Sequence, residues 1–160
     1  MKTLSKAERE AVQYYSGAMH STLNEYLRGT IQELSPFQEK ILKNLQNSFD
    51  KLALEQDTQL YRGVRNIAAM GITDKSRYGD KVVMDGFVST SSSPKQRFRG
   101  VELKINAPRG TPAVCMGNEK LSFDPQHVEV LLNDKTKATI NKIVRDKTGS
   151  IIFVELDVII

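Results

Sequence analysis

The hydrophobic pattern of this chain changes near Thr58, and this change limits the fold more than any other feature of the sequence. Before Thr58, apolar residues recur every three to five positions, as they do along one face of an amphipathic helix. After Thr58, short apolar and β-branched runs are separated by Gly, Pro and Asn-Asp pairs, a pattern typical of strands and turns. Helices followed by strands predict an α+β domain rather than an alternating α/β one.

The first third of the chain should contain helices. Ser5 and Glu8 have the spacing of a capping box, so a helix is expected to begin after Ser5, and Gly17 is expected to interrupt or end it. A second helix is predicted over 21–27. A third begins at Pro36, since proline is tolerated at the first helical position. The apolar stripe of the third helix consists of Phe37, Ile41, Leu45, Phe49 and Leu52.

The remainder should form strands joined by turns. Strands are predicted over 59–64, 81–90, 101–105, 113–116, 128–132, 138–145 and 150–159. The last two should form a tight hairpin, because D-K-T-G lies between them. Single helical turns are predicted over 67–70 and 94–98. A chain of 160 residues fits one domain, with a helical part over about 1–57 and a mostly β part over about 58–160.

Composition excludes a membrane-spanning protein. No apolar run approaches the ~20 residues needed to cross a bilayer. The opening M-K-T-L-S-K-A-E-R-E becomes charged where a secretory leader would be apolar. We therefore expect the protein to act in the cytoplasm of the producing or target cell, without contacting a membrane.

Cysteine and histidine usage argues against a metal site or a disulfide. Cys115 is the only cysteine, so no disulfide can form within the chain, and its apolar surroundings predict a buried, inert thiol. His20 and His127 are too few and too far apart in sequence to suggest zinc. No metal is expected. The net charge of +4 and the pI near 9.2 mildly favour anionic partners.

The stretch 85–93, D-G-F-V-S-T-S-S-S, has the period of a strand but carries hydroxyl groups where a core strand would be apolar. Alone, it predicts an edge strand with one solvated side. Two other apolar runs each contain one charged residue: L-Y-R-G-V contains Arg62, and H-V-E-V-L-L contains Glu129. We predict that the three strands contribute polar groups to a common face.

Arg62 and Glu129 each have a functional and a purely structural interpretation. The Arg62 guanidinium suits a phosphate or carboxylate through bidentate hydrogen bonds, and Gly63 would let a ligand approach the backbone closely. A carboxylate such as Glu129 can stabilise positive charge that develops at an anomeric carbon when a glycosidic bond breaks. Alternatively, both are exposed residues on strands that bind nothing.

The order L-Y-R-G, then G-F-V-S-T-S, then Glu before V-L-L resembles the Arg, Ser-Thr-Ser, Glu signature of mono-ADP-ribosyltransferases. The chain is most similar to the bacterial and phage exoenzyme branch, which includes actin-modifying binary toxins and Rho-modifying exoenzymes. The segment A-V-Q-Y-Y-S-G-A-M-H-S-T-L-N-E-Y-L-R-G resembles the first helices of that branch. I-N-A-P-R-G-T resembles the strand and turn before its catalytic loop. The resemblance covers nearly the whole chain.

The resemblance implies a split β-sandwich flanked by N-terminal helices, with NAD as co-substrate in the cleft between two sheets. Arg62 would hold the NAD phosphates, and the backbone at Gly63 would contact the nicotinamide amide. Ser89 would orient Glu129, which would bind the nicotinamide ribose and stabilise the oxocarbenium ion as nicotinamide leaves. Tyr15 and Asn24 would touch the dinucleotide, and Thr90 and Ser91 would support the strand and the nicotinamide ribose. In the loop that follows, Phe98 would be a stacking candidate and Arg97 or Arg99 would contact the phosphates.

The residue two positions before the catalytic Glu departs from the family pattern. That position, which serves the acceptor, is Glu or Gln in the family and His127 here. An imidazole can act as a base near neutral pH. Gln126 is the alternative if the register slips by one, but strand alternation would then turn it away from the face of Glu129. The preceding loop, G-N-E-K-L-S-F-D-P-Q, should recognise the acceptor through Phe123.

The leading functional hypothesis is transfer of ADP-ribose from NAD to a macromolecular acceptor, with release of nicotinamide. The resemblance favours a protein side chain as the acceptor. A nucleic acid is the rival, because the pI near 9.2, His127 and Phe123 suit a partner with phosphates and stacking bases. The alternatives are an NAD glycohydrolase and a degenerate nucleotide-binding or interaction domain. A toxin, an effector, a phage enzyme and a toxin–antitoxin enzyme all fit, with an antitoxin or immunity protein as a further partner. A monomer is expected.

Overall fold

The computed structural model describes residues 3–93, 100–116, 121 and 129–160. Within these ranges the helices are α1 (Lys6–Tyr14), α2 (His20–Leu27) and α3 (Pro36–Ser48), with a π-helical turn at Tyr15–Met19 and a 3₁₀ turn at Ile67–Met70. The strands are β1 (Thr58–Val64), β2 (Lys81–Met84), β3 (Val88–Ser91), β4 (Val101–Ala107), β5 (Ala113–Cys115), β6 (Glu129–Leu132), β7 (Thr136–Arg145) and β8 (Ile151–Ile159). Helices precede strands, which confirms the α+β class.

Side-chain caps determine where α1 and α3 begin. The Ser5 hydroxyl accepts from the Glu8 N–H at 3.2 Å, and the Glu8 carboxylate accepts from the Ser5 N–H at 2.7 Å. Ser35 and Gln38 make the same pair of bonds before α3. Both predicted starts are confirmed, and Gly17 lies in the π-helical turn that interrupts the first helix. In the part of the chain that the structure describes, no helix is long and apolar enough to span a bilayer.

The predicted stripe of α3 is correct except at its first member. Ile41, Leu45, Phe49 and Leu52 are buried in the core that α3 forms with the other helices. Phe37, in contrast, is 47% exposed, because it packs edge-on against Tyr14 at the surface, with 5.2 Å between the ring centroids.

One hydrogen-bonded sheet contains all eight strands, in the order β2-β7-β8-β4-β1-β3-β6-β5. Neighbouring strands are antiparallel except β4 and β8, which are parallel. β1 pairs with β4 from Thr58 to Val64, whereas among the described residues it pairs with β3 at a single position, Tyr61 opposite Ser91. The sheet is thus divided at this junction into a long half (β2, β7, β8, β4, β1) and a short half (β3, β6, β5).

Two hydrophobic cores join the helices and the two halves of the sheet. The first draws on all eight strands, so the two halves of the sheet cover each other as a split β-sandwich. The second joins the helices to the opposite face of the short half, where Phe87, Val114 and Leu131 are buried. Cys115 lies in the first core and is buried, as predicted.

The prediction of one strand over 81–90 is wrong, because this part of the chain forms two strands, β2 and β3. β2 pairs with β7 at the edge of the long half, and β3 pairs with β1 and β6 at the start of the short half. Gly86 between them has a φ of +84°, a left-handed conformation that interrupts a strand, and its N–H donates to the Asp134 carboxylate at 2.6 Å. The break carries the chain from one half of the sheet to the other.

Most other strand predictions are confirmed within a few residues. The 3₁₀ turn over 67–70 and the hairpin at D-K-T-G are present, the latter closed by Gly149 at a φ of +87°. The helical turn predicted over 94–98 and the first residue of the strand predicted over 128–132 lie outside the described residues.

Candidate active site

A cleft opens where the two halves of the sheet separate. Its cavity measures about 420 Å³. β1 contributes Arg62 and Gly63 to its wall, and β6 contributes Glu129. β3 contributes Ser89, Thr90 and Ser91. The structure therefore brings the three predicted motifs together on one cleft, because β1, β3 and β6 are consecutive strands of the sheet.

The strand register decides which hydroxyl lies opposite the carboxylate. Ser91 is the register partner of Glu129, so their Cα atoms are ~5 Å apart. Ser89 is the partner of Leu131 and lies on the same face, ~7 Å further along β3. The orientation of Glu129 by Ser89 remains a prediction, and Ser91 is the closer candidate in register.

Thr90, in the middle of the Ser-Thr-Ser run, links β3 to β6 through its side chain. Its side chain is buried, and its hydroxyl donates to the Val130 carbonyl on β6 at 2.7 Å. This bond reinforces the pairing of β3 with β6, and a contact of Thr90 with the nicotinamide ribose remains a prediction.

Arg62 has an unusual environment for a cation. One guanidinium nitrogen, Nη1, donates to the Ser89 carbonyl at 2.7 Å, while Nε is buried without a hydrogen-bond partner among the described residues. Burial lowers the pKa of Arg62, and the nearby charge of Arg28 lowers that pKa further. A buried donor without a partner is unfavourable, so an anion between these two arginines would be stabilised.

Tyr15 and Asn24 connect the helices to the cleft. The Asn24 amide donates to the Tyr15 hydroxyl at 2.9 Å, and its carbonyl oxygen accepts from the Phe87 N–H at 2.8 Å. Burial raises the pKa of the Tyr15 phenol, although hydrogen bonds with Asn24 and Ser89 act in the opposite direction. Tyr15 lines the cleft directly, whereas Asn24 holds the start of β3, and a dinucleotide contact from either one remains a prediction.

The cleft continues into a second cavity of about 300 Å³ beneath α2. The two cavities share Tyr15, His20, Arg62 and Ser89 in their walls. Arg28 lines the far end, where its Nε donates to the Asp85 carbonyl at 3.0 Å. The combined site thus has Glu129 in the wall of the first cavity, Glu25 and Arg28 in the wall of the second, and Arg62 in the walls of both.

Several residues of the cleft were not predicted from the sequence. His20 and Arg28 belong to a set of three residues, with Asn24 between them, that are spaced four positions apart. The three therefore lie on one face of α2 and its C-cap. This spacing was a signal that could have identified them. The π-helical turn before His20 was a second feature of interest, since such turns are frequent at functional sites. Ser16 and Tyr61 also line the cleft, without a comparable signal.

The remaining predicted site residues cannot be placed relative to the cleft. These residues, which lie outside the described ranges, are Arg97, Phe98, Arg99, Phe123, Gln126 and His127. Across the described ranges, no group of three or more His, Cys, Asp or Glu side chains is arranged to hold a metal ion.

The sequence model of one protein family, described as ADP-ribosyltransferase exoenzyme, matches residues 1–159. No curated protein sequence matches the chain significantly. Among solved structures, C3larvin toxin, an ADP-ribosyltransferase from Paenibacillus larvae, is 25% identical, with a TM-score of 0.73 over 98% of this chain and 96% of that chain.

Two further solved structures are similar over nearly the whole chain. Exoenzyme S from Pseudomonas aeruginosa, in complex with human 14-3-3 protein beta and bound to carba-NAD, is 25% identical, with a TM-score of 0.74 over 96% of this chain and 74% of that chain. C3stau2 from S. aureus, solved with NAD, is 19% identical, with a TM-score of 0.73 over 97% of this chain and 87% of that chain. The latter likeness shows the fold, which agrees with the expected split β-sandwich.

Proposed function

Because this chain belongs to the ADP-ribosyltransferase exoenzyme family, we propose that the cleft between β1, β3 and β6 is where it transfers ADP-ribose from NAD to a protein acceptor. The chain is an NAD-dependent ADP-ribosyltransferase, and NAD is its co-substrate. The observation that carries the site assignment is the convergence of Arg62, the Ser-Thr-Ser run and Glu129 on one cavity.

Arg62 and Arg28 are proposed to bind the pyrophosphate. The unpartnered Nε of Arg62 and the adjacent charge of Arg28 favour a dianion between them. The resemblance implied Arg62, with Arg97 or Arg99, for this role, and the position of Arg28 in the adjoining cavity supports adding it. Arg97 and Arg99 stay candidates for the same group on sequence alone.

The nicotinamide ribose is proposed to lie against Glu129 and Ser91. As the glycosidic bond lengthens, its electron pair leaves with nicotinamide, and positive charge develops on the ribose. A carboxylate fixed beside that ribose stabilises the charge. Gly63 lines the same cavity on β1, where its backbone can approach the nicotinamide amide without steric obstruction from a side chain. Ser89 and Tyr15 complete the wall on the side of the helices, and Phe98 stays a candidate for stacking.

The acceptor is proposed to be a protein side chain, received by His127 two residues before Glu129. Extended backbone would place the two residues on the same face, ~7 Å apart. A neutral imidazole can then position or deprotonate an incoming nitrogen or hydroxyl. Phe123 and Gln126 are proposed to contact the acceptor protein, on the basis of the sequence pattern alone.

We propose that the enzyme acts as a monomer in the cytoplasm of the producing or target cell. Light scattering of the purified chain would test the monomer. A molar mass equal to two or more chains would contradict it.

The experiment that tests the function combines two readouts on one sample. The protein is incubated with NAD labelled in its adenylate moiety and with cell extract, and both released nicotinamide and labelled macromolecule are measured. Label that survives nuclease and is lost to protease supports a protein acceptor, whereas the reverse supports a nucleic acid. Nicotinamide release without labelled macromolecule indicates a glycohydrolase, and no release at all contradicts the proposal.

His127→Ala separates transfer from cleavage. It should abolish labelling of the acceptor and leave much of the slow hydrolysis of NAD, since His127 would meet the acceptor rather than the leaving nicotinamide. Parallel loss of both activities would place His127 in the NAD site instead.

A further inference from the structure

A second groove adjoins the active-site cleft on the outer face of the long half. Its volume is about 910 Å³, larger than that of the cleft. We call it the β1–β8 groove, and the wall residues that matter here are Asp57, Gln59, Tyr61, Ser92, Asn106 and Asp157. Gln59, Asn106 and Asp157 are successive register partners on β1, β4 and β8, so they form one row across the sheet.

The β1–β8 groove is continuous with the cleft through Tyr61. Tyr61 lines both, and its hydroxyl donates to the side-chain amide oxygen Oε1 of Gln59 at 3.3 Å. Tyr61 is the register partner of Ser91, and Ser91 is the partner of Glu129. The groove therefore begins two strands away from the carboxylate, ~10 Å between Cα atoms.

The charge of the groove is opposite to that of the whole chain. The chain has 23 Lys and Arg against 19 Asp and Glu, yet the described residues that line the groove include the carboxylates of Asp57 and Asp157 and no Lys, Arg or His. Both carboxylates are held by donors that carry no formal charge. The Arg109 backbone N–H donates to Asp57 at 2.8 Å, and Asn106 donates to Asp157 at 2.9 Å. Their negative charge therefore remains available to a ligand.

The nearest cation in register lies outside the groove. Lys104 is in the neighbouring row, directly opposite Glu155, and Lys142 on β7 is the register partner of Glu155 on its other side. The pKa of Glu155 is lowered, chiefly by its hydrogen bond with Asn106 and in smaller part by Lys104. The two lysines and Glu155 belong to the neighbouring row, and none of them lines the β1–β8 groove, where the charged side chains among the described residues are Asp57 and Asp157.

We propose that the β1–β8 groove binds a Lys- or Arg-bearing segment of the protein acceptor and thereby guides a neighbouring side chain to Glu129. This proposal rests on the proposed function. From the Gln59–Asn106 row to Glu129 is ~12–17 Å, two strand spacings and two residues along the strand, which about four or five residues of extended peptide can span. The amides of Gln59 and Asn106 can hydrogen-bond such a backbone. A nucleic acid would be repelled by the two carboxylates.

The test uses the full chain and a substitution that removes charge without changing shape. In Asp57→Asn/Asp157→Asn, each amide keeps an oxygen in the place of the acceptor oxygen. The matched control is Glu33→Gln/Asp50→Asn, which removes two exposed carboxylates from the helical side of the molecule. Binding of dye-labelled hexalysine is measured by fluorescence anisotropy at low salt, and nicotinamide release and protein labelling are measured for each variant.

The proposal expects Asp57→Asn/Asp157→Asn to bind hexalysine and to label acceptor protein about fivefold less well than the parent, with less dependence on salt. Its nicotinamide release should equal that of the parent, and the control should match the parent throughout. Unchanged hexalysine binding, or an equal loss in the control, would overturn the proposal, as would a nuclease-sensitive acceptor. Absence of nicotinamide release from the parent would refute the proposed function, while the hexalysine result would still decide the groove.

Discussion

The short and long halves of the sheet differ in strand length and in how many of their faces are buried. Strands of the short half are only three or four residues long, whereas β7 and β8 in the long half have ten and nine. The short half is buried on both faces: on β6, Val130 and Leu132 enter the core between the halves, while Leu131 enters the core beneath the helices. The long half has one buried face and one polar face that contains the β1–β8 groove.

This difference explains where the candidate chemistry lies. A short strand has few ladder hydrogen bonds, so packing from two sides must hold β3 and β6 in position. The ends of these strands present Ser91 and Glu129 to the cleft. The long half provides another wall of the cleft, which includes Arg62 on β1. The predictions below test whether the two halves divide function and stability in this way.

The largest effect is expected from Glu129→Gln. An amide has no negative charge to stabilise the developing cation, so nicotinamide release should fall about 100-fold or more, with unfolding unchanged. Glu102→Gln, on the exposed side of β4 in the long half, is the matched control and should keep parental activity. Comparable turnover by Glu129→Gln and the parent would remove Glu129 from the catalytic role.

Truncation of one leucine in each half separates stability from function. Leu156 in β8 and Leu131 in β6 are both almost fully buried, so Leu156→Ala and Leu131→Ala should each cost about 3 kcal/mol in the free energy of unfolding. Leu131 also lines the cleft, so only its truncation should raise the KM for NAD. Denaturant melts and steady-state kinetics check both. A raised KM in Leu156→Ala would show that the long half also determines the NAD site.

Arg62→Lys should weaken NAD binding about tenfold. A lysine keeps the charge but loses the planar fork that can contact the Ser89 carbonyl and a phosphate together. Calorimetric titration with NAD gives the affinity directly, and Arg65→Lys, at an exposed position just past β1, is the control. Equal affinity in Arg62→Lys would mean that Arg62 only supports the junction of the two halves.

The smallest effect is expected at the turn that joins the halves. Gly86→Ala would place a Cβ 3.0 Å from the Asn24 side-chain oxygen and 3.1 Å from Arg28 Nε, at a left-handed φ of +84°. Gly149→Ala has a similar φ of +87° with nothing within 4 Å, so it measures the backbone strain alone, about 1 kcal/mol. Melting temperature should fall in both, and NAD affinity only in Gly86→Ala. Identical behaviour would show that Asn24 and Arg28 are not needed in their present positions.

Features that depend on neighbouring residues in the chain could be predicted well. The Ser5–Glu8 capping box is a local hydrogen-bond pattern, and it begins α1 as expected. The hairpin at D-K-T-G follows from turn chemistry within a few residues. The division of the 81–90 run has a local signal in Asp85-Gly86, although alternation of apolar residues continues on both sides of it. The distant strands with which β2 and β3 pair could not be predicted in this way.

The sequence by itself determined the α+β class, the order of helices and strands, and the presence of Arg62, a Ser-Thr-Ser run and Glu129 on separate strands. Tertiary structure alone decided that Ser91 is the register partner of Glu129, that Arg28 lies beside Arg62, and that Nε of Arg62 is buried without a partner among the described residues. The reason is the range of the interactions. Hydrophobic period and caps act over a few residues, whereas register, burial and charge at the cleft arise between strands and helices that are distant in sequence.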